Sequence, residues 1–161
     1  MAKNQLINKR YFLVVSVLTF ILPFACAIIQ ILLNKGNTFS FALFGKWFIF
    51  SAVGLRLFIA GIKQTTDPGF TAKEIFHISN PESFPIVREL GFANICFGMV
   101  GIISLFLPAW RVVSAFGSGL YYGFAGLQHL IKKPVGPNER FALITDVIIF
   151  LFLLLYFIKM I

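Results

Sequence analysis

Arg56 is the only charged residue in the stretch SAVGLRLFIAG, residues 51–61, where every other residue is small or apolar. A guanidinium stays protonated in proteins, so inside a bilayer it needs a carboxylate partner or a path to water. Asp146 and Glu89 are the candidate partners, and Asp146 is favoured because its expected depth is similar. Such a guanidinium could also fix an anionic head group, with the carboxylates balancing its charge or relaying protons.

Asn94 and His129 are the other polar residues that draw attention at this depth. Histidine titrates near neutral pH, and burial can raise the pKa of a carboxylate toward that range. His129 and Glu89 could therefore carry protons. No HExxH or comparable spacing occurs and no nucleophile–base set is visible, so the sequence predicts no metal, no cofactor and no catalytic residue. Cys26 and Cys96 lie in apolar stretches without CxxC spacing, and we predict that both are small buried hydrophobes.

The composition is typical of an all-α polytopic membrane protein, a transmembrane helical bundle. Of the 161 residues, 58% are hydrophobic and 12% are charged, whereas about a quarter of the residues of a soluble domain are charged. The basic residues that give the formal net charge of +8 lie mainly in the expected loops, as is typical of membrane proteins. No basic patch is interleaved with aromatic residues on a polar face, so nucleic acid is excluded as a partner.

Five apolar windows are long enough to span a bilayer, and they predict a single transmembrane domain over residues 1–161, a four-helix core plus an N-terminal helix. The expected spans are 11–33, 40–62, 89–107, 110–131 and 141–160. The connector 63–88 should hold a short interfacial helix over 72–78, because Thr71 and Glu74 have capping-box spacing. A further helix start is expected at Pro81, after Asn80.

Lysine and arginine residues predict the orientation. Nine of them fall on the side of the N-terminus, and four fall on the other side or at its margin: Lys35, Lys46, Arg111 and Lys159. The positive-inside rule therefore places the N-terminus in the cytoplasm and the C-terminus outside, in the cell (inner or plasma) membrane. The basic residues 9–10 and the Ala-x-Ala at 25–27 also resemble a signal peptide, whose cleavage would leave four spans. Retention is favoured because the apolar run continues to Leu33.

Small residues predict how the helices pack. In the fourth span, small residues recur every four positions: Ala115, Gly119 and Gly123. The third span carries a second row of small residues: Gly91, Asn94, Gly98 and Gly101. Small residues allow helices to approach closely in lipid. We therefore expect the third and fourth spans to form the core hairpin, with the second span closing on them. The first and fifth spans are bulkier, and residues 151–157 of the fifth should be exposed to lipid.

The alternating direction of the spans brings widely separated polar residues into one layer near the cytoplasmic side. The predicted ligand-binding set is Arg56, Glu89, Asn94, His129 and Asp146. A charge at the bilayer centre costs about 3 kcal/mol or more, which favours a buried ion-pair cluster. In a second interpretation, Arg56 extends to the cytoplasmic headgroups and the acids only join helices.

Two segments, RELGFAN at 88–94 and GFAGLQH at 123–129, resemble small membrane proteins of the DoxX-like kind. The resemblance implies a four-helix core, with Glu89, Asn94 and His129 as site positions. Some DoxX-like proteins are associated with thiol or quinone redox chemistry. This chain departs from that pattern because it has no paired cysteines and has an additional N-terminal span.

These features favour a non-enzymatic integral membrane protein that binds or passes a small anionic or amphiphilic ligand, or serves as an accessory subunit. The alternative is a membrane-embedded redox subunit, or an enzyme subunit that handles lipid or quinone. The expected partners are the lipid bilayer, a bound lipid or quinone, and a second copy of the chain or another membrane protein.

Overall fold

The protein is an all-α helical bundle. The computed structural model describes residues 7–34 and 38–161, and no β-strand occurs within these ranges. Lys3 and Lys35, both counted for the orientation, lie outside the described residues. The described helices are α1 Lys9–Leu33, α2 Phe41–Thr66, α3 over 68–75, α4 Pro81–Ile103, α5 Trp110–Lys132 and α6 Pro137–Met160.

Four of these helices are long and apolar enough to span a membrane, namely α1, α2, α4 and α6. Helix α5 has 23 residues but is not among the four. A helical membrane bundle is therefore supported, and the fifth span stays a prediction. The end of the bundle where α2 finishes and α6 begins is called the Glu139 end, and the opposite end is called the Lys46 end.

Proline residues set the helix starts that differ from the expected ones. Helix α4 begins at Pro81, as predicted from Asn80 and Pro81, and eight residues before the start of the expected span. It begins there because the Asn80 side chain accepts a hydrogen bond from the Glu82 N–H at 3.1 Å. Helix α3 begins at Pro68 without a side-chain cap, so the capping-box prediction of a start at 72 is wrong. Helix α6 begins at Pro137, four residues early. Proline suits the first helical turn because its missing N–H has no partner there.

Helices α2 and α4 pack with their backbones in contact. A Cβ atom placed on Gly98 would lie 2.5 Å from the Phe58 backbone nitrogen, and one placed on Gly61 would lie 2.6 Å from the Gly91 carbonyl oxygen. No side chain fits at such distances, so glycine is required on both helices. The small-residue seam of the third span thus lies against the second span, in agreement with the predicted close packing.

Helix α5 packs chiefly on α6. A Cβ atom on Gly123 would lie 2.9 Å from Cδ2 of the Phe150 ring, and one on Gly119 would lie 3.4 Å from the Leu153 Cβ. The expected core hairpin of the third and fourth spans is therefore wrong. Residues 151–157 of the fifth span, expected to be exposed to lipid, are so only in part, because Leu153 and Tyr156 are buried. The physical reason is that the glycines of α5 accommodate bulky side chains of α6, whereas those of α4 accommodate the glycines of α2.

Two widened, π-helical turns lie side by side in the bundle, at Val17–Ile21 of α1 and Ile49–Leu55 of α2. The Ser51 hydroxyl of the second turn donates to the Leu18 carbonyl oxygen of the first at 2.6 Å. A widened turn rotates the residues that follow it about the helix axis, and such turns are frequent at functional sites. The turn in α2 ends immediately before Arg56, and it therefore helps to set the direction of that side chain.

Candidate ligand-binding site

Arg56 of α2 is paired with Asp146 of α6 inside the bundle. Its Nη2 donates to the Asp146 Oδ1 at 2.8 Å and to the Thr145 Oγ1 at 2.9 Å. The Arg56 and Asp146 side chains are only 9% and 10% exposed. The predicted ion pair is confirmed, and the interpretation in which Arg56 extends alone to the headgroups is excluded.

Neighbouring groups fix the direction of the guanidinium. The Thr145 hydroxyl lies 3.0 Å from the Phe141 carbonyl oxygen of its own helix, so its proton can be directed there while a lone pair faces Arg56. The Arg56 Cζ lies 5.3 Å from the centroid of the Tyr122 ring, whose hydroxyl donates to the Ala52 carbonyl oxygen at 3.0 Å. An aromatic face attracts a cation at this range. The guanidinium is therefore held by a carboxylate, a hydroxyl and an aromatic ring.

The second terminal nitrogen of the guanidinium, Arg56 Nη1, is buried and has no hydrogen-bond partner in the described part of the chain. A buried donor left without a partner costs about 1–3 kcal/mol, and more when the group is charged. An oxygen from a carboxylate, a phosphate or a carbonyl group would satisfy these N–H donors. This nitrogen is the feature of the site that points most directly to a ligand.

A second polar cluster surrounds Glu139, whose side chain is fully buried. Its Oε2 lies 3.1 Å from the His77 Nε2 and accepts the Val135 backbone N–H at 2.9 Å, and its Oε1 lies 3.4 Å from the His129 Nδ1. Sequence reasoning missed Glu139 because it placed this residue in a loop. The signal was present in Pro137, since proline at the first helical position and an acid in the first turn are typical of a helix start.

The two clusters lie along one line of the bundle. Glu139 and Asp146 are two helical turns apart on α6, a rise of about 10 Å, and His129 is equally far from Tyr122 on α5. We call Glu139, His129, Asp146 and Arg56 the polar seam. It runs from the Glu139 end to the middle of the bundle, and His129 therefore belongs to its outer half rather than to the Arg56 pair.

Aliphatic residues follow the polar seam toward the Lys46 end. Among the seam residues, His129, Asp146 and Arg56 are 7% to 8% exposed and Glu139 is fully buried. Ile149 and Leu153, the next positions after Asp146 on the same face of α6, are aliphatic and 0% exposed. The neighbouring α2 residues of this layer, Ile49 and Val53, are fully buried as well. The charged groups of the seam thus end in an apolar layer.

The polar seam and nearly all of the chain fall within a known family of sequences. The family's sequence model matches residues 13–160. The chain belongs to DUF6790, a family of unknown function. No curated protein and no solved structure matches the chain. The DUF6790 match does not support the DoxX-like resemblance specifically, so the site positions that the resemblance implied remain predictions.

Asn94 and Glu89, two of the predicted site residues, lie away from the Arg56 pair in this DUF6790 chain. The Asn94 Nδ2 donates to the Gln64 Oε1 at 2.6 Å, and Gln64 is about 12 Å along α2 from Arg56. The Asn94 Oδ1 is buried and has no partner among the described residues. Glu89 is exposed, because its separation of five positions from Asn94 rotates it about 140° from the face that packs on α2.

Within the described ranges, 7–34 and 38–161, no group of three His, Cys, Asp or Glu side chains is arranged to hold a metal ion. Cys26 and Cys96 are free thiols. Cys26 is partly buried and Cys96 is exposed, so the prediction that both are buried is wrong. Both face the sides of their helices that carry exposed apolar residues.

Proposed function

We propose that this chain is a non-enzymatic integral membrane protein whose Arg56 site binds a small anionic or amphiphilic ligand. The observation that carries the proposal is the buried Arg56 Nη1 without a partner, beside a carboxylate that already neutralises the guanidinium. A carboxylate or phosphate oxygen of the ligand would accept the free N–H groups. The Tyr122 ring would offer an apolar wall for the rest of the molecule.

The proposal includes α5 as a fifth span. Its 23 residues rise about 34 Å, enough to cross the hydrocarbon core. Its apolar content is reduced by small and polar residues that are buried against other helices: Ser114, Ser118, Gly119, Tyr122, Gly126 and His129. Its other face carries exposed apolar side chains suited to lipid: Val113, Phe116, Leu120, Phe124 and Leu127.

The same geometry supports binding over passage across the membrane. Beyond the Arg56 pair, the interior toward the Lys46 end offers aliphatic side chains and the hydroxyls of Ser114 and Ser118, which have no partner in the described part of the chain. No Asp, Glu, Lys, Arg or His occurs in 47–55, 112–128 or 147–158. An anion moving through this layer would lose its countercharge at a large desolvation cost. Under the positive-inside rule, the ligand would enter from the cytoplasmic side, at the Glu139 end.

Native mass spectrometry of the protein purified with its lipids tests this function. The wild type is compared with Arg56→Gln/Asp146→Asn, which removes both charges and keeps a polar side chain at each position. The matched control is Lys63→Gln/Asp67→Asn, which removes an exposed ion pair at the end of the same helix, α2. We expect the wild type and the control to retain the same acidic or amphiphilic molecule, and the site variant to lose at least about nine-tenths of it.

The proposal fails if the wild type retains no such molecule, or if all three proteins retain the same set. A retained quinone that depends on Arg56 would favour the alternative, a membrane-embedded subunit that handles quinone. A second protein retained in fixed ratio, with no small molecule, would favour an accessory subunit.

A further inference from the structure

A groove between α1 and α2 at the Lys46 end lies on the far side of the apolar layer from Arg56. Its volume is about 420 Å³. The residues that line it combine a cation, two polar amide side chains and apolar walls: Lys46, Gln30, Asn34, Cys26, Ile29, Leu33 and Trp47. The groove is therefore amphipathic, and it shares no lining residue with the Arg56 site.

The cation of this groove is held in place by neutral groups. The Gln30 Oε1 accepts from the Lys46 Nζ at 3.0 Å and from the Trp47 Nε1 at 2.8 Å. The Lys46 Nζ also lies 4.7 Å from the centroid of the Trp47 ring. These contacts position the ammonium at the groove without neutralising it, which leaves it suited to an anionic group.

The Asp and Glu side chains of the chain lie elsewhere. Five of the six belong to the Glu139 end, and the sixth is Asp146, which is paired with Arg56: Asp67, Glu74, Glu82, Glu89, Glu139 and Asp146. Among the described residues, the Lys46 end carries two further cations, Arg111 and Lys159, and the Lys159 Nζ lies over the Phe41 ring. The charge of this end therefore favours an anionic occupant.

The apolar wall of the groove decides which anion fits. Ile29 and Leu33 on α1 are exposed by 53% and 76%, and they stand beside the cation. A free inorganic anion would leave these side chains uncovered, whereas acyl chains would cover them. Tryptophan and lysine side chains at the end of a membrane helix also match the headgroup level of a bilayer. We propose that the groove binds an anionic phospholipid, with its phosphate on Lys46 and its acyl chains along Ile29 and Leu33.

Titration of the purified protein with short-chain lipids tests the proposal, with affinities read by native mass spectrometry. The probes are dioctanoyl phosphatidylglycerol, dioctanoyl phosphatidylcholine and inorganic phosphate. We expect Lys46→Gln to weaken phosphatidylglycerol binding about tenfold or more, the scale of one hydrogen bond to a charged group. Lys46→Arg should stay within about threefold of the wild type. Lys159→Gln, a cation of the same end outside the groove, is the matched control and should also stay within about threefold.

Three results would overturn the proposal. They are equal affinity of the wild type for the two lipids, unchanged phosphatidylglycerol affinity in Lys46→Gln, and displacement of the lipid by millimolar inorganic phosphate. The lipid comparison and the phosphate competition use the wild type alone, so they decide the matter even if Lys46→Gln does not fold. The variant Arg56→Gln/Asp146→Asn should keep its phosphatidylglycerol affinity, which separates this site from the Arg56 site.

Discussion

The variant Arg56→Ala is expected to lose about 3–5 kcal/mol of unfolding free energy, because the Asp146 carboxylate would remain buried without its partner. The pair is joined at 2.8 Å between side chains that are about a tenth exposed, so the carboxylate left by Arg56→Ala would be largely shielded from bulk water. Unfolding of the purified protein in mixed detergent micelles, followed by circular dichroism, measures the change. Low folded yield would be the first sign of it.

The double variant Arg56→Ala/Asp146→Ala should recover at least half of that loss, because removing both charges of a buried pair leaves no uncompensated ion. Lys63→Ala and Asp67→Ala are the controls, since their exposed ion pair should be worth less than about 1 kcal/mol. The single variant Asp146→Ala completes the comparison. If the double variant loses as much unfolding free energy as Arg56→Ala and Asp146→Ala added together, a structural coupling between Arg56 and Asp146 is contradicted.

The variant Gly98→Ala should have the second-largest effect, a loss of about 1–3 kcal/mol or more of unfolding free energy. Its Cβ would lie 2.5 Å from the Phe58 nitrogen and 2.8 Å from the Phe58 Cα. Both are backbone atoms of a packed helix, so α2 and α4 would have to separate. The same unfolding measurement in detergent gives the size of the loss.

Gly117→Ala is the matched control for Gly98→Ala. Its Cβ would lie 3.4 Å from the Phe97 ring, the edge of a side chain that can move. We expect this variant to unfold within about 0.5 kcal/mol of the wild type. Helix propensity favours alanine over glycine at both positions, so it cannot produce a loss. Equal losses for the two glycine variants would contradict the contact between α2 and α4 as the cause.

The helices and the ion pair could be predicted because they follow from local pattern and depth. Apolar windows of span length predicted the helices, and most of their ends lie within four residues of the predicted ones. Alternating helix direction fixes the depth of each polar residue. That rule alone brought Arg56 and Asp146 to the same level, although 90 positions separate them in the chain.

The helix pairing and the full site could not be predicted because they depend on rotation about each helix axis. Glycine seams indicate that a helix packs closely, but they do not name its partner, so the pairing of α5 with α6 was missed. Glu89 was expected beside the Arg56 pair, whereas the structure exposes it on α4, away from that pair. Glu139 was assigned to a loop because the apolar window started later than the proline-initiated helix.

We propose that the polar seam is accessible from the Glu139 end and stops at the apolar layer beyond Asp146. The direct measurement is thiol labelling in sealed vesicles, with Cys26 and Cys96 replaced by alanine and a membrane-impermeant cationic methanethiosulfonate added to one side at a time. Ala142→Cys and Ile149→Cys lie on the same face of α6, on either side of Asp146. The exposed positions Val135→Cys and Phe106→Cys report which side is the Glu139 end and which is the Lys46 end.

We expect Ala142→Cys to be labelled only from the side that labels Val135→Cys, and Ile149→Cys to be labelled from neither side. Labelling of Ile149→Cys as fast as Ala142→Cys, or labelling of Ala142→Cys from the Phe106 side, would contradict a seam that is open at one end and closed at the other.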